Sequence, residues 1–242
     1  DGPPMIKTEN ARPNGWVFID IDGRDLGSYV KDAQQKVAQQ LNLPAGYSLI
    51  WSGQYEYMER AKARLSVVVP ATIAIIMMLL YMSFRRAGEV LMIMGTLPLA
   101  MVGGLWLMEI LGYNFSIAVG VGFIALAGVA VEIGVIMLVY LNQAWKFRQL
   151  EAEHLNKPLT KADLADAIKE GAGLRVRPVM MTVATVIIGL IPIMYGSGTG
   201  SEVMQRIAAP MIGGMVSALL LTLIVLPAVF KLWKEVSHQL KH

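Results

Sequence analysis

Five apolar stretches, each close to the length that crosses a lipid hydrocarbon core, limit this chain to a membrane fold. Such a crossing takes about 20 predominantly apolar residues in a helix. Residues 65–84, 90–108, 178–200 and 207–230 contain no Asp, Glu, Lys or Arg, and residues 115–141 contain one, Glu132. Inside lipid a segment must satisfy its own backbone groups, so each stretch predicts a transmembrane helix. Composition agrees: 16% of the 242 residues are charged, against about 25% in soluble domains. The fold class predicted is a mostly α membrane protein with five transmembrane helices.

Composition also removes whole classes of function. The chain has no cysteine, which excludes disulfides and thiolate metal sites, and its net charge of +3 is too small to argue for nucleic acid. No nucleophile–base set, phosphate loop or zinc spacing is present, so an enzyme reading has no support. His154, His238 and His242 are scattered and form no metal motif. Methionine is abundant, with 16 copies. It serves either as flexible filler or as a soft thioether ligand for a cation such as Cu(I).

Lys and Arg in the connections set the orientation. The turn after the first span holds Arg85 and Arg86. The connection 142–177 holds Lys146, Arg148, Lys157, Lys161, Lys169, Arg175 and Arg177, and the tail holds Lys231, Lys234 and Lys241. The opposite turns, 109–114 and 201–206, hold only Arg206. Twelve against one places the long connection and the carboxy terminus in the cytoplasm. An odd number of spans then puts the amino-terminal segment outside. The chain begins at Asp1 and shows no signal peptide, so it reads as a piece of a longer protein or one half of a complex.

Residues 1–60 form the outer segment, and residues 61–242 the transmembrane domain. Within the outer segment, residues 16–22 alternate as a strand does, with Val17, Ile19 and Ile21 on one face. Ser28 is placed to cap a helix whose apolar stripe is Val30, Ala33, Val37 and Leu41. Residues 47–52 alternate again. The unit is therefore β-α-β, and too small to bury a core alone. Residues 55–64 are polar and free of helix breakers, which predicts one continuous helix running into the first span. In the connection 142–177, Thr160 and Asp163 match a capping pattern. The short helix they start would share Leu164 and Ile168 on an apolar face lying on the membrane surface, and Pro178 would begin the next span.

Glu132 is the sharpest chemical signal. It lies nine residues from the inner end of its span, about 13 Å deep at 1.5 Å per residue. An acidic residue there costs roughly 2.5–3.5 kcal/mol on insertion scales, and protonation removes much of that penalty. Gly120, Gly122, Ala125, Ala127, Gly128, Ala130 and Gly134 around it allow close helix contact, so Glu132 is expected to face a bundle interior. A proton relay and a structural Glu hydrogen-bonded to a neighbouring helix both fit. No basic residue lies within any span, and Thr182 and Thr185 are the weak partners on offer. Met204, Met211 and Met215 share one helix face, as a path for a soft cation or as a packing stripe.

Residues 122–141 (GFIALAGVAVEIGVIMLVYL), 174–178 (LRVRP) and 196–215 (GSGTGSEVMQRIAAPMIGGM) resemble the carboxy-terminal helices of heavy-metal efflux pumps in the resistance-nodulation-division superfamily, in particular its copper/silver subgroup. Residues 3–13 (PPMIKTENARP) and 52–61 (SGQYEYMERA) fit the end of that family's second periplasmic loop. The resemblance covers essentially the whole chain. It implies that the five spans are helices eight to twelve of a twelve-helix pump and that residues 1–60 end a periplasmic porter domain. The full protein would be a homotrimer in the inner membrane of a Gram-negative cell. It would join a periplasmic adaptor and an outer-membrane channel and exchange protons for Cu(I) or Ag(I), with no cofactor. Glu132 then matches the acidic residue of the proton relay, and Met204 a channel methionine. In one place the chain departs from the subgroup, which carries Lys directly after the LRVRP proline as the cation of the relay. Here that residue is Val179, with Arg177 the nearest substitute. Export of divalent metals or drugs, and a truncated, non-transporting scaffold, are the alternatives.

Overall fold

The computed structural model describes residues 7–9, 11–21 and 23–238. Residues 3–6 of the first loop motif, Asp22, Lys241 and His242 lie outside the described residues, and so does the side chain of His238. The chain divides into two compact units, Asp1–Glu56 and Tyr57–His242.

In the first unit, β1 (Lys7–Glu9) and β2 (Arg12–Asn14) pair antiparallel with Thr8 opposite Pro13. Helix α1 (Leu26–Gln40) follows, with Val30 buried. The helix is where the apolar stripe predicts it, but its cap is Asp25 rather than Ser28. The Asp25 carboxylate accepts from the Ser28 backbone N–H at 2.8 Å, a bond strengthened by charge at a helix amino terminus. The strands expected at 16–22 and 47–52 do not form among the described residues. A strand is stable only in a ladder, and the ladder here is made by β1 and β2. Val17, Phe18 and Ile50 are left 86%, 82% and 75% exposed.

The second unit is a helix bundle. Among the described residues five helices are, by length and composition, long and apolar enough to cross a membrane, which supports a multi-pass membrane protein. Helix α2 (Gln54–Phe84) runs unbroken from its polar start, over Pro70, through the first apolar stretch. Only its last turns meet the bundle, through Ile76, Leu80 and Phe84. Helices α3 (Ala87–Leu111), α4 (Ile117–His154) and α5 (Lys161–Tyr195) follow. Helix α6 (Ser201–Leu220) continues through one π-helical turn (Leu221–Val225) into α7 (Leu226–His238).

Small residues set the helix contacts, because apolar area gives little driving force between helices already in lipid. A methyl added at Gly103 of α3 would strike the Gly213 carbonyl and Ser217 of α6. The Ser217 hydroxyl donates to the Ala100 carbonyl at 2.6 Å across the same contact. Likewise Gly122 of α4 sits against Ile207 and Pro210, and Gly171 of α5 lies under the Tyr140 carbonyl of α4.

The connection 142–177 differs from expectation. It is a helical hairpin: α4 continues to His154, and α5 begins at Lys161 with the Thr160–Asp163 capping box in place. The Thr160 hydroxyl and backbone N–H both donate to Asp163, at 2.6 and 2.9 Å. Leu164 and Ala167, with Ile168 beside them, pack on Leu141 and Trp145 of α4 instead of the membrane surface. At about 1.5–3 kcal/mol per large apolar side chain removed from water, this contact is of the same order as the ~3 kcal/mol that a proline costs inside a helix. Pro178 therefore stands inside α5 rather than at its start. At 38 residues, α4 is about 57 Å long at 1.5 Å per residue, well beyond the ~30 Å of hydrocarbon. The hairpin projects beyond the membrane at the end that carries Arg85 and Arg86, called here the basic end.

Candidate functional site

Helix α4 starts at Ser116, whose side chain accepts from the Val119 N–H. The helix shows two kinds of face. Leu126, Ile133 and Met137 are buried in the bundle, with Gly122 and Gly134 among them. Val121, Ile124, Gly128 and Glu132, spaced three, seven and eleven residues from the first, form an exposed stripe. Nothing lies within 4 Å of a methyl built on Gly128.

Glu132 is thus on the open face of α4, not in the interior of this bundle as the surrounding small residues suggested. Small residues occur on both faces, so composition cannot say which face packs within the chain. Among the described residues Glu132 forms no hydrogen bond or ion pair. Thr182 and Thr185 do not serve it: their hydroxyls donate to the Pro178 and Met181 carbonyls of their own helix, at 3.1 and 2.8 Å.

Val179 is 3% exposed, in the apolar cluster that holds Ile133 and Val183. Position 179 therefore points into packed side chains beside the helix turn that carries Glu132. Arg177 is exposed and makes no ion pair among the described residues.

The three methionines on one face of α6 separate by burial. Met204 is 56% exposed and Met211 is half-buried, while Met215 is fully buried in the cluster with Phe123 and Leu126. Met215 is packing. Met204 and Glu132 share no site within this chain. Gly122 is level with Ile207, Glu132 lies ten residues further along, and Met204 precedes Ile207 by three, a separation of about 20 Å along the helix axes. Around the other end, Gln205 donates to the Gly196 carbonyl at 2.9 Å and accepts from the Tyr113 hydroxyl at 3.4 Å, which fixes the glycine-rich loop. No group of three or more His, Asp or Glu side chains among the described residues could hold a metal ion.

One ionic site escaped the sequence reading. Glu89 and Lys234, 3% and 1% exposed, form an ion pair at 3.4 Å between α3 and α7. The Asn142 amide of α4 donates to the other Glu89 oxygen at 2.8 Å. The Lys234 ammonium lies 4.6 Å from the Trp233 ring and 5.1 Å from the Phe230 ring. Three helices are joined there, at the basic end. Lys234 was counted with a solvated tail, yet it recurs four residues after Phe230, on the buried face of a helix that continues α6. That spacing was the available signal. Glu89 immediately precedes the uncharged run at 90–108 and so fell outside the span.

The profile of the AcrB/AcrD/AcrF family matches residues 1–234. The cation efflux system protein CusA of Escherichia coli O157:H7 is 53% identical over 234 residues, which is 96% of this chain and 22% of that protein. The SilA protein of Salmonella typhimurium is 50% identical over the same share of each. A crystal structure of a heavy metal efflux pump superposes with a TM-score of 0.71 at 34% identity, covering 91% of this chain and 20% of that one. The chain therefore spans about a fifth of the length of these relatives.

Proposed function

This chain belongs to the AcrB/AcrD/AcrF family, and from that premise we propose that it is the carboxy-terminal part of a proton-driven inner-membrane pump exporting Cu(I) or Ag(I). The observation that carries the reading is the identity to CusA and SilA, at or above 50% along almost the whole chain. The pump is a secondary active transporter, not an enzyme. Residues 1–60 lie in the periplasm, as the end of a porter domain, and the carboxy terminus lies in the cytoplasm. The working unit is a homotrimer joined to a periplasmic adaptor and an outer-membrane channel.

Glu132 is the proton carrier. A neutral carboxylic acid is tolerated on an open helix face at membrane depth, whereas the carboxylate there needs a partner. The Gly128–Glu132 stripe has room for another helix to approach, and the partner comes from a part of the pump outside this chain. Gain and loss of the proton then change how closely that helix can pack on α4, which links proton flow to movement. Met204, exposed at the start of α6, is offered as a thioether ligand on the metal path.

Glu132→Gln in the full-length pump is expected to abolish Cu and Ag resistance at normal membrane expression; unchanged resistance would reject the relay. Val179, in place of the Lys that the copper/silver resemblance implies, favours one other reading, in which the pump handles divalent cations. Growth in Cu, Ag, Zn and Co with and without the intact gene separates these.

A further inference from the structure

Between α3 and α7 the bundle carries an apolar groove of about 510 Å³. Gly88, Leu91, Gly95 and Leu99 of α3 form one wall, and Val229 and Trp233 of α7 contribute to the other. Leu91, Leu99 and Val229 are 67%, 50% and 41% exposed, so the groove opens on the outside of the bundle. A methyl on Gly95 would meet nothing within 4 Å. The groove is closed at depth, where Gly103 brings α3 against Gly213 and Ser217 of α6. At the basic end the Trp233 ring lies on Gly88, 2.8 Å from where a methyl there would be.

The length of the groove selects its occupant. From Gly88 to Leu99 is eleven residues, about 16 Å, which is about one leaflet of a ~30 Å hydrocarbon core. A transmembrane helix would need a channel continuing past Gly103, and this one stops. A single acyl chain needs no more than one leaflet.

Charge selects its headgroup. Arg85 and Arg86 form the turn immediately before Gly88, and both are exposed. Glu89, the nearby carboxylate in sequence, is committed to Lys234 and Asn142. Among the described residues neither arginine has an ion-pair partner, so both charges are left uncompensated at the basic end of the bundle. Basic side chains at such a depth attract anionic lipids, and a tryptophan beside them sits at the level of the headgroups.

We propose that this groove is a seat for an anionic membrane phospholipid, its acyl chain between α3 and α7 and its phosphate at Arg86. Held there, the lipid fills the splay between the two helices that Glu89 and Lys234 join.

The test uses the full-length pump in phosphatidylcholine bilayers that contain a minor share of lipid with brominated acyl chains, which quench indole fluorescence on contact. The signal of Trp233 is taken as the difference between the parent and Trp233→Phe. At equal mole fraction, brominated phosphatidylglycerol is expected to quench this signal with roughly fivefold greater apparent affinity than brominated phosphatidylcholine. Arg86→Gln, at an exposed position, should remove that preference. Gly95→Leu should fill the groove and reduce quenching by both lipids. Native mass spectrometry of the released pump gives a second reading, expected to show one more retained phosphatidylglycerol per subunit in the parent than in Arg86→Gln. Equal quenching by the two lipids would mean ordinary bilayer contact and overturn the proposal. No quenching by either would mean that the rest of the pump or a second copy covers the groove, and would overturn it equally.

Discussion

Replacing Lys234 with methionine removes a charge while keeping an unbranched side chain of similar length. In the parent, Glu89 is 3% exposed and has two partners, Lys234 at 3.4 Å and Asn142 at 2.8 Å. The Lys234→Met change leaves the carboxylate with the amide alone. Removing one partner of a buried pair costs about 3–5 kcal/mol, because the remaining charge has lost both water and its counterion. The melting temperature should fall. The double variant Glu89→Gln with Lys234→Met tests the cause. An amide at position 89 can still accept from Asn142 and carries no charge to strand, so most of the loss should return. The assay is thermal unfolding of the full-length pump in detergent, followed by intrinsic fluorescence and by loss of the folded peak on gel filtration. Two results would refute the reasoning: a single variant that melts with the parent, or a double variant no more stable than the single. The first would mean that Glu89 is not left as a stranded charge, because it takes up a proton or water reaches it, and the second that the Lys234 stem matters only through packing on Trp233 and Phe230.

Two further outcomes test the bundle. A methyl at Gly128 has nothing within 4 Å outside its own helix backbone, so with Gly128→Leu the transmembrane helices should still fold and insert, while metal resistance in the full-length pump should fall at least tenfold, about 1.4 kcal/mol of lost coupling; full resistance would mean that no helix approaches the Glu132 stripe. Thr160→Ala removes the hydroxyl half of the capping box and should cost about 1 kcal/mol at the start of α5. Hydrogen exchange is expected to rise in residues 161–166 and not in α6, and protection unchanged from the parent would show that the packing of Leu164 alone holds that turn.

The five crossings were legible because a lipid core demands long apolar runs, and the capping box because its two side chains are local to the helix they start. Features that depend on which helix lies beside which were not. The alternation at 16–22 describes a strand correctly only if a ladder partner stands beside it, and β1 and β2 pair with each other instead. Pro178 reads as a helix start, yet Leu164, Ala167 and Gly171 find α4 before it and carry the helix through. Lys234 reads as a solvated tail residue until α7 is seen to continue α6 and bring it to Glu89. The π-helical turn at Leu221–Val225, which joins those two helices, leaves no mark in the apolar pattern.

Glu132 divides along the same line. Its depth follows from counting residues; its direction does not, since α4 carries glycine on the packed face at 122 and 134 and on the open face at 128. That direction has a consequence for the proposed relay. A cation at position 179 would leave its backbone within the cluster of Ile133 and Val183, so a longer side chain there would have to turn out of the core to meet Glu132. With Val179 that route is closed; the hydroxyls of Thr182 and Thr185 are bonded to their own helix, and Arg177, two residues before Val179, makes no ion pair with Glu132 among the described residues. If Glu132 is ionised at any stage of turnover, its counter-charge must then arrive across the Gly128 stripe, from the same surface that brings the approaching helix. Substituting Lys for Val179 would therefore not raise activity by completing the relay. It would first have to displace apolar packing around Ile133, and a Val179→Lys pump with increased Ag resistance would show that the core at that level yields more readily than its burial indicates.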